Sequence, residues 1–216
     1  MKLEQKKAKL EAISKRVINR EIDIDLAKDC LNPVPGEGNA NAELMFIGEA
    51  PGAQEDKQGR PFVGASGKFL AEMLESIGLA REDVFITNIV KFRPTKNRDP
   101  KPEEIKACMP ILFEQIEVIR PKLLIFLGRH STNVFFPKFK ISEVHGEMFK
   151  THIQTQESHV FEQNCLPLYH PAAALYNGSM RKVLFQDFAK IPKLLEIIKN
   201  KNIQERIINK KCQKTI

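Results

Sequence analysis

Short apolar runs alternate along the chain with longer stretches in which apolar residues recur every three or four positions, the spacing of a helix face. The runs short enough to be buried strands cover residues 44–47, 84–90, 123–127 and 166–169. The helical stretches cover residues 2–20, 68–77, 102–119, 130–136 and 180–200, and Pro192 could kink the last of them. This alternation predicts an α/β fold with a four-stranded parallel sheet covered by helices on both faces.

Changes in composition divide the chain into three parts. Residues 1–30 form a helical segment rich in Lys and Glu, residues 31–200 hold the strand–helix alternation, and residues 201–216 form a basic tail. Segment 137–163 is less regular than its surroundings. We expect that segment to contain either a hairpin or an inserted loop.

The charge is unevenly distributed. The chain has 216 residues, with 34 Lys and Arg against 27 Asp and Glu, and residues 189–216 alone carry eight basic and two acidic side chains. Such a tail favours a polyanionic partner, or it merely keeps the terminus solvated. A membrane surface is a poorer partner, because the tail has no Trp and no strong amphipathic face.

The cysteines indicate a reducing environment. Cys30, Cys108, Cys165 and Cys212 are widely spaced and include no CxxC pair, which predicts free thiols. No apolar run approaches the roughly 20 residues of a membrane span, and the N-terminus lacks the apolar core of a secretory signal. We therefore expect an intracellular, cytoplasmic protein.

Polar residues follow each predicted strand at its carboxyl end. Gly48 and Glu49 follow the first strand, Asn88 lies near the end of the second, residues 128–130 follow the third, and His170 follows the fourth. Ligands of open parallel sheets bind at the carboxyl ends of the strands. These side chains are therefore expected to converge on one crevice.

The segment after the first strand reads GEAPG over residues 48–52 and GRPFVG over residues 59–64. Its glycines and proline predict a tight turn with exposed backbone N–H groups, with Glu49 at the tip. Glu49 is then either a site carboxylate or a solvated one. Phe62 is either a stacking face for a flat ligand or a core residue beneath the loop.

Two further segments carry candidate chemistry. An amide such as Asn88 offers both a donor and an acceptor, so it can read a lactam or imide edge, or it can simply form a turn. Lys91 and Arg93 either contact phosphate or are solvated. His170 stands before the rigid Pro171, where it could donate to a developing oxyanion. His130, His145, His152 and His159 are expected to be structural.

Taken together, the segments resemble the family 4 uracil-DNA glycosylases. The resemblance runs from about Val34 to Phe188 and rests on GEAPG…E…GRPFVG, then TNIVK-x-RP…NRDP…EEI-x-x-C, then LGR, then YHPAAAL. It implies a three-layer α/β/α sandwich that hydrolyses the N-glycosidic bond of flipped-out uracil in single- or double-stranded DNA and leaves an abasic site. It also implies a monomer, located in the cytoplasm or with the DNA in the nucleoid, without a membrane partner.

The resemblance assigns roles by matched position. It implies that Glu49 activates water and steadies the sugar cation, that Glu55 is a second important acid, and that His170 stabilises negative charge on the uracil O2. It implies a uracil-binding set of Gly48, Ala50, Phe62 and Asn88. It implies that the loop from Leu175 to Arg181 enters the minor groove and props the duplex open. With that loop, the expected DNA-binding residues are Lys91, Arg93, Pro171, Leu175 and Arg181.

The chain departs from the family at its iron–sulfur cluster, which four Cys usually hold. Alignment without gaps places Glu21, Ile24 and Phe92 at three of the ligand positions and leaves only Cys108. Cys30 would need a local shift to serve as a ligand. We therefore predict that the cofactor is lost, that no metal is bound, and that Ile24 and Phe92 are buried near Cys108 as an apolar patch.

Two other functions remain open from the sequence. One is a catalytically weak or inactive DNA-binding protein on the same fold, in which loss of the cluster has cost activity. The other is a glycosylase with a broader choice of deaminated or mismatched bases. The presence of Glu49, Asn88 and His170 favours the active enzyme.

Overall fold

The computed structural model describes residues 1–154 and 159–201. Its six-stranded sheet has the order β1-β3-β2-β4-β6-β5. The strands are β1 Glu37–Gly38, β2 Leu44–Gly48, β3 Phe85–Asn88, β4 Leu123–Leu127, β5 Phe149–Gln154 and β6 Val160–Leu168. The central strands β3, β2, β4 and β6 are parallel, as predicted, while β1 and β5 add antiparallel edges.

The described helices include five at or near the predicted positions and four short ones, of four to six residues, that the sequence did not predict. They are α1 Leu3–Ile18, α2 Leu26–Asp29, α3 Ala53–Gln58, α4 Ala65–Glu75, α5 Pro102–Ile119, α6 Arg129–Phe135, α7 Ile141–Val144, α8 Ala173–Tyr176 and α9 Ser179–Phe188. Residues 191–201 are again helical after a turn at 189–190. The helix is interrupted just before Pro192 because proline lacks an N–H and fits only the first turn of a helix.

Alternation along the buried strands builds the two faces of the sandwich. In β2, Met45 and Ile47 pack into a core that includes α1 and α5. Leu44 and Phe46 point to the opposite core, which includes α4 and α9. Helices therefore cover both faces of the sheet, and the three-layer α/β/α arrangement is confirmed.

The irregular segment 137–163 contains a hairpin, one of the two expected alternatives. Its strand β5 pairs antiparallel with β6, with Phe149 opposite Cys165 and Gln154 opposite Val160. The same pairing lengthens β6 well beyond the predicted run of residues 166–169.

None of the helices within residues 1–154 and 159–201 is long and apolar enough to cross a membrane. The predicted basic tail lies outside the described residues beyond position 201.

Candidate functional site

A cavity of about 460 Å³ opens at the carboxyl ends of the strands. Its lining contains Glu49, Phe62, Asn88 and His170, which come from three distant parts of the sequence. Parallel strands bring their carboxyl ends to one edge of the sheet, so residues that follow different strands meet there. The convergence expected from the sequence is therefore confirmed.

Asn88 forms one wall of this cavity at the end of β3. Its side chain is 2% exposed, and its Oδ1 has no hydrogen-bond partner within the described part of the chain. A Cβ on the neighbouring Gly48 would collide with this oxygen and would come within 2.6 Å of the Phe62 ring. Glycine is thus required at position 48 to leave room for the Asn88 amide and the Phe62 ring. A buried carbonyl oxygen without a partner is costly, so the site is prepared for an N–H donor.

Phe62 forms a second wall and is itself buried. Its backbone has φ +51, which is uncommon for a residue with a side chain. Its ring lies 5.6 Å from the imidazole of His170, with a tilt of 31° between the planes. Phe62 is therefore a core residue that also lines the cavity, and its role as a stacking face stays a prediction.

The unusual backbone around Phe62 is held from two sides. Glu55 accepts hydrogen bonds from the Val63 and Gly64 amides at 2.9 and 2.8 Å. On the other side Arg81 donates to the Phe62 carbonyl at 2.8 Å and pairs with Glu37 at 2.9 Å. Because one Glu55 oxygen is used in this way, its geometry supports a positioning role, and its catalytic role stays a prediction.

The hydrogen bonding of His170 defines which ring nitrogen carries the proton. Its Nδ1 accepts a hydrogen bond from the Ala172 amide at 3.1 Å, so the proton of the neutral ring lies on Nε2. Burial lowers the pKa of His170 to about 4, although the carboxylate of Glu55 opposes this shift. At neutral pH the ring is therefore an uncharged Nε2–H donor facing the cavity.

Glu49 stands after β2 with its carboxylate half-buried at the cavity. Burial raises its pKa, Asp99 adds to this effect, and His130 and Arg129 oppose it. The His130 Nε2 lies 3.8 Å from Glu49 Oε2 and 3.3 Å from Asp99 Oδ2. β4 and α6 therefore bring the His130 ring beside the Glu49 carboxylate, and the structural role expected for His130 stays a prediction.

Lys91 does not lie where the sequence predicted. It is 0% exposed, and its Nζ donates to Thr87 Oγ1 at 2.6 Å, the Asn88 carbonyl at 2.8 Å and Gln115 Oε1 at 2.9 Å. Burial lowers its pKa to about 7. The predicted phosphate contact is wrong, since the chain after β3 turns this side chain inward against α5.

Two of the other predicted DNA contacts, Arg93 and Pro171, are held within the protein. Arg93 is occupied within the protein, because it lies 3.7 Å from Asp56 Oδ2 and donates to Asn97 at 2.8 Å. Pro171 is buried, so its predicted contact with DNA is wrong, and its ring instead shapes the turn after β6.

The exposed surface beside the cavity belongs to α8 and α9. Leu175 is exposed, and Tyr176, which lies within the loop expected to enter the minor groove but was not singled out, is 91% exposed while also lining the cavity. Arg181 is exposed, pairs with Glu72 at 2.7 Å and lies 4.4 Å above the Phe69 ring. The sequence offered one signal for Tyr176, namely its place in the same loop as Leu175.

The positions matched to iron–sulfur ligands form a mixed group. Phe92 and Cys108 are fully buried in the core that also holds Cys30. Ile24 is only half-buried against this core, so its prediction is met in part, and Glu21 is on the surface. Burial raises the pKa of both thiols, which favours their protonated form over the thiolate that a cluster needs. These residues therefore do not fit a four-thiolate site.

An α/β/α sandwich with a cavity at the carboxyl ends of its parallel strands defines the class of protein, and comparison with known proteins identifies the family. A family model described as the uracil DNA glycosylase superfamily matches residues 35–193, which is most of the chain. The chain belongs to the uracil-DNA glycosylase superfamily and, by its relatives, to the type-4 uracil-DNA glycosylases within it.

Several relatives carry that name. The type-4 uracil-DNA glycosylase of Saccharolobus solfataricus is 54% identical over 76% of this chain and 76% of its own length. The protein of the same name from Sulfurisphaera tokodaii is 53% identical over 76% of this chain and 74% of its own. A third, from Archaeoglobus fulgidus, is 47% identical over 79% of this chain and 85% of its own.

Proposed function

We propose that this protein is a monofunctional uracil-DNA glycosylase of base-excision repair, which releases uracil from DNA and leaves an abasic site. The observation that carries this proposal is the buried amide of Asn88, whose Oδ1 has no partner among the described residues, in the wall of a cavity that Phe62 and His170 also line. Uracil presents an N–H between two carbonyl oxygens and has two flat faces. The Asn88 amide matches its edge, and the Phe62 ring matches its face.

The reaction breaks the bond between the sugar C1′ and the uracil N1, whose electrons stay on the uracil. His170 donates its Nε2–H toward the uracil O2 and so stabilises the developing negative charge. A neutral donor suits this task, because it holds the anion without passing a full proton to it. This role requires no change in the protonation of His170 between reactant and product.

Glu49 acts on the other side of the broken bond. Its ionised carboxylate stabilises the positive charge that develops on the sugar and orients a water molecule toward C1′. The water oxygen bonds to C1′, and Glu49 accepts the proton that the water loses. His130, which stands beside Glu49, helps to keep the carboxylate ionised against the effect of its burial.

The uracil must leave the base stack to reach this cavity. Leu175 and Tyr176 project from α8 beside the cavity, where they can occupy the gap that the flipped base leaves. Arg181 follows on α9 and can approach a phosphate by exchanging its contact with Glu72. The loop thus combines apolar wedges with a basic residue.

The test is release of uracil from a labelled oligonucleotide that contains one deoxyuridine. We expect release from U-containing strands and none from matched strands with thymine or cytosine. DNA binding without release would instead support an inactive DNA-binding protein. Comparable release of hypoxanthine or mismatched thymine would support the glycosylase with broader specificity.

Strand cleavage is not expected to accompany base release. Among the described residues that line the cavity there is no lysine, and Lys91 is sequestered beneath it. A Schiff base at C1′ needs a reachable amine, so the abasic strand should stay intact until alkali is added. Cleavage without alkali, trapped as a covalent complex by borohydride, would contradict this prediction.

We also propose that the protein works without an iron–sulfur cluster. Support comes from the residues present, since Phe92 and Ile24 have no ligating atom and Glu21 is a poor match for iron in such clusters. The purified protein should be colourless and contain no stoichiometric iron or sulfide. A brown preparation that loses its absorbance on reduction or chelation would overturn the proposal.

The basic tail is proposed to add affinity for DNA without specificity. Phosphate contacts release counterions, so each contact steepens the loss of affinity with salt by about 0.9 in the log–log slope. Deleting residues 201–216 should therefore reduce the slope and leave the excised base unchanged. An unaltered slope would show that the tail is merely solvated.

The remaining proposals concern organisation. We propose that residues 31–200 form the catalytic domain, flanked by the segment 1–30 and the tail 201–216, and that the protein acts inside the cell. We further propose that it is a monomer. Light scattering with and without DNA tests the last point, and a stable dimer would contradict it.

A further inference from the structure

A buried lysine lies directly beneath the uracil-reading amide. The three hydrogen bonds of Lys91 Nζ all go to uncharged oxygens, and no carboxylate is among its partners within the described residues. Its own backbone N–H faces the sulfur of Cys108 on α5. The side chain is thus fully satisfied by hydrogen bonds but has no counter-ion.

The groups around Lys91 come from two elements. From β3 come the Thr87 hydroxyl and the Asn88 carbonyl, and from α5 come the Gln115 amide and the Cys108 thiol. Cys108 is the titratable group that acts on Lys91, and burial keeps that thiol protonated. Any positive charge on Lys91 therefore goes uncompensated at this end of the sheet.

Removing an ammonium from water without a counter-ion is costly, and an apolar side chain would fill the same space. The cost is understandable if the charge is useful in the reaction. Lys91 donates to the carbonyl of Asn88, the residue whose side chain lines the cavity. In that cavity the uracil acquires negative charge as the glycosidic bond breaks, and low-dielectric surroundings strengthen attraction between the two charges.

We propose that Lys91 is a positioning residue that fixes the Asn88 backbone and whose buried, unpaired positive charge favours the anionic uracil leaving group. This inference rests on the proposed function. It differs from a phosphate contact, because Lys91 has no access to the DNA surface. It also differs from the role of His170, which touches the uracil, because Lys91 acts through Asn88 and through the electric field in the cavity.

The proposal has a consequence for pH. Burial lowers the pKa of Lys91 to about 7, so in the free protein its charge is present below that pH and is lost as the pH rises through it. Glu49 must be ionised, and burial raises its pKa. The single-turnover rate should therefore rise with pH at the acid side and fall again above about pH 7, as a bell-shaped profile does.

The experiment compares the wild type with Lys91→Met and Lys91→Arg on two oligonucleotides, one with uracil and one with 5-fluorouracil. Fluorine stabilises the anion of the base, so this leaving group depends less on the protein. Lys91→Met should lower the single-turnover rate on uracil by about 10-fold or more with little change in KM, and lower it much less on 5-fluorouracil. Lys106→Met removes an exposed lysine from the same helix as Gln115 and should match the wild type.

Lys91→Arg retains a positive charge at every pH tested, so its rate should not fall on the alkaline side. Thermal unfolding of each variant shows whether it is folded. The unfolded Lys91 keeps its proton up to its ordinary pKa of 10.5, so wild-type stability relative to Lys91→Met should increase from about pH 7 toward that value. This measurement tests the buried charge even if Lys91→Arg does not fold.

Equal losses on uracil and 5-fluorouracil in a folded Lys91→Met protein would overturn the inference and leave Lys91 a purely structural residue. The inference would also fail if the rate of Lys91→Met fell on the alkaline side of the pH profile as the wild-type rate does. A wild-type protein that releases no uracil would instead refute the proposed function. The two failures are distinguishable, because the first leaves wild-type activity intact.

Discussion

Replacing Asn88 by Ala is expected to lower the single-turnover rate of uracil release by about 10²–10³-fold, the range for removal of one preorganised hydrogen-bonding group. The physical reason is the burial of its amide, whose Oδ1 has no partner in the described residues until a ligand supplies one. Without the amide, the N–H and carbonyl groups of uracil enter a closed cavity unpaired.

The same assay separates this site from a general loss of stability. Glu49→Ala and His170→Ala should each cost about 2–4 kcal/mol of transition-state stabilisation if they act as proposed. Asn19→Ala, which removes an exposed amide at the end of α1, is the matched control and should keep the wild-type rate. Near-wild-type rates for the three cavity variants would show that the reaction occurs elsewhere.

Replacing Phe92 by Ala is expected to lower the free energy of unfolding by about 3–5 kcal/mol, the range for truncating a fully buried Phe. Phe92 is 0% exposed in the core that contains Cys108 and Cys30, where the resemblance places a cluster. Apolar packing is then what holds the turn after β3 against α5. Urea unfolding followed by circular dichroism measures the change.

A second substitution at the same position makes the test specific. Phe92→Leu keeps most of the apolar volume and should cost clearly less than Phe92→Ala, because the cavity left behind is smaller. If both variants unfold at the wild-type urea concentration, Phe92 contributes little to the core. The proposal that apolar packing replaces the cluster would then fail, whatever the iron content.

Local patterns were sufficient to predict the layout of the fold. The runs at 44–47 and 123–127 are apolar throughout because both faces of a central strand are buried, and α5 was predicted at its observed bounds, since Pro102 starts it and Pro121 follows its end. The edge strand β1 was missed, and β5 was anticipated only as one of two alternatives for the segment 137–163. Strand β1 has only two residues, too few to show an alternation of apolar and polar positions. Strand β5 is only partly buried, so its hydrophobic pattern is weak.

The cavity residues were predicted because polar groups after parallel strands must meet at one edge of the sheet. The local roles of the neighbouring side chains depended on contacts between distant residues. Arg81 holds the Phe62 backbone from 19 positions away, and Gln115 accepts from Lys91 across 24 positions. The local sequence around a lysine after a strand does not show whether its side chain faces solvent or turns inward.

His130 and Lys91 show why local sequence predicts some features of the site and only the tertiary structure decides the others. Hydrophobic period and turn residues act over a few positions, so the chain reveals its strands, helices and strand ends before it is folded. Burial of a charge and its pairing depend on which elements pack together, and no short-range pattern encodes that. The sequence therefore specifies where the site lies and which residues face it, while packing specifies that His130 stands beside Glu49 and that Lys91 lies beneath Asn88.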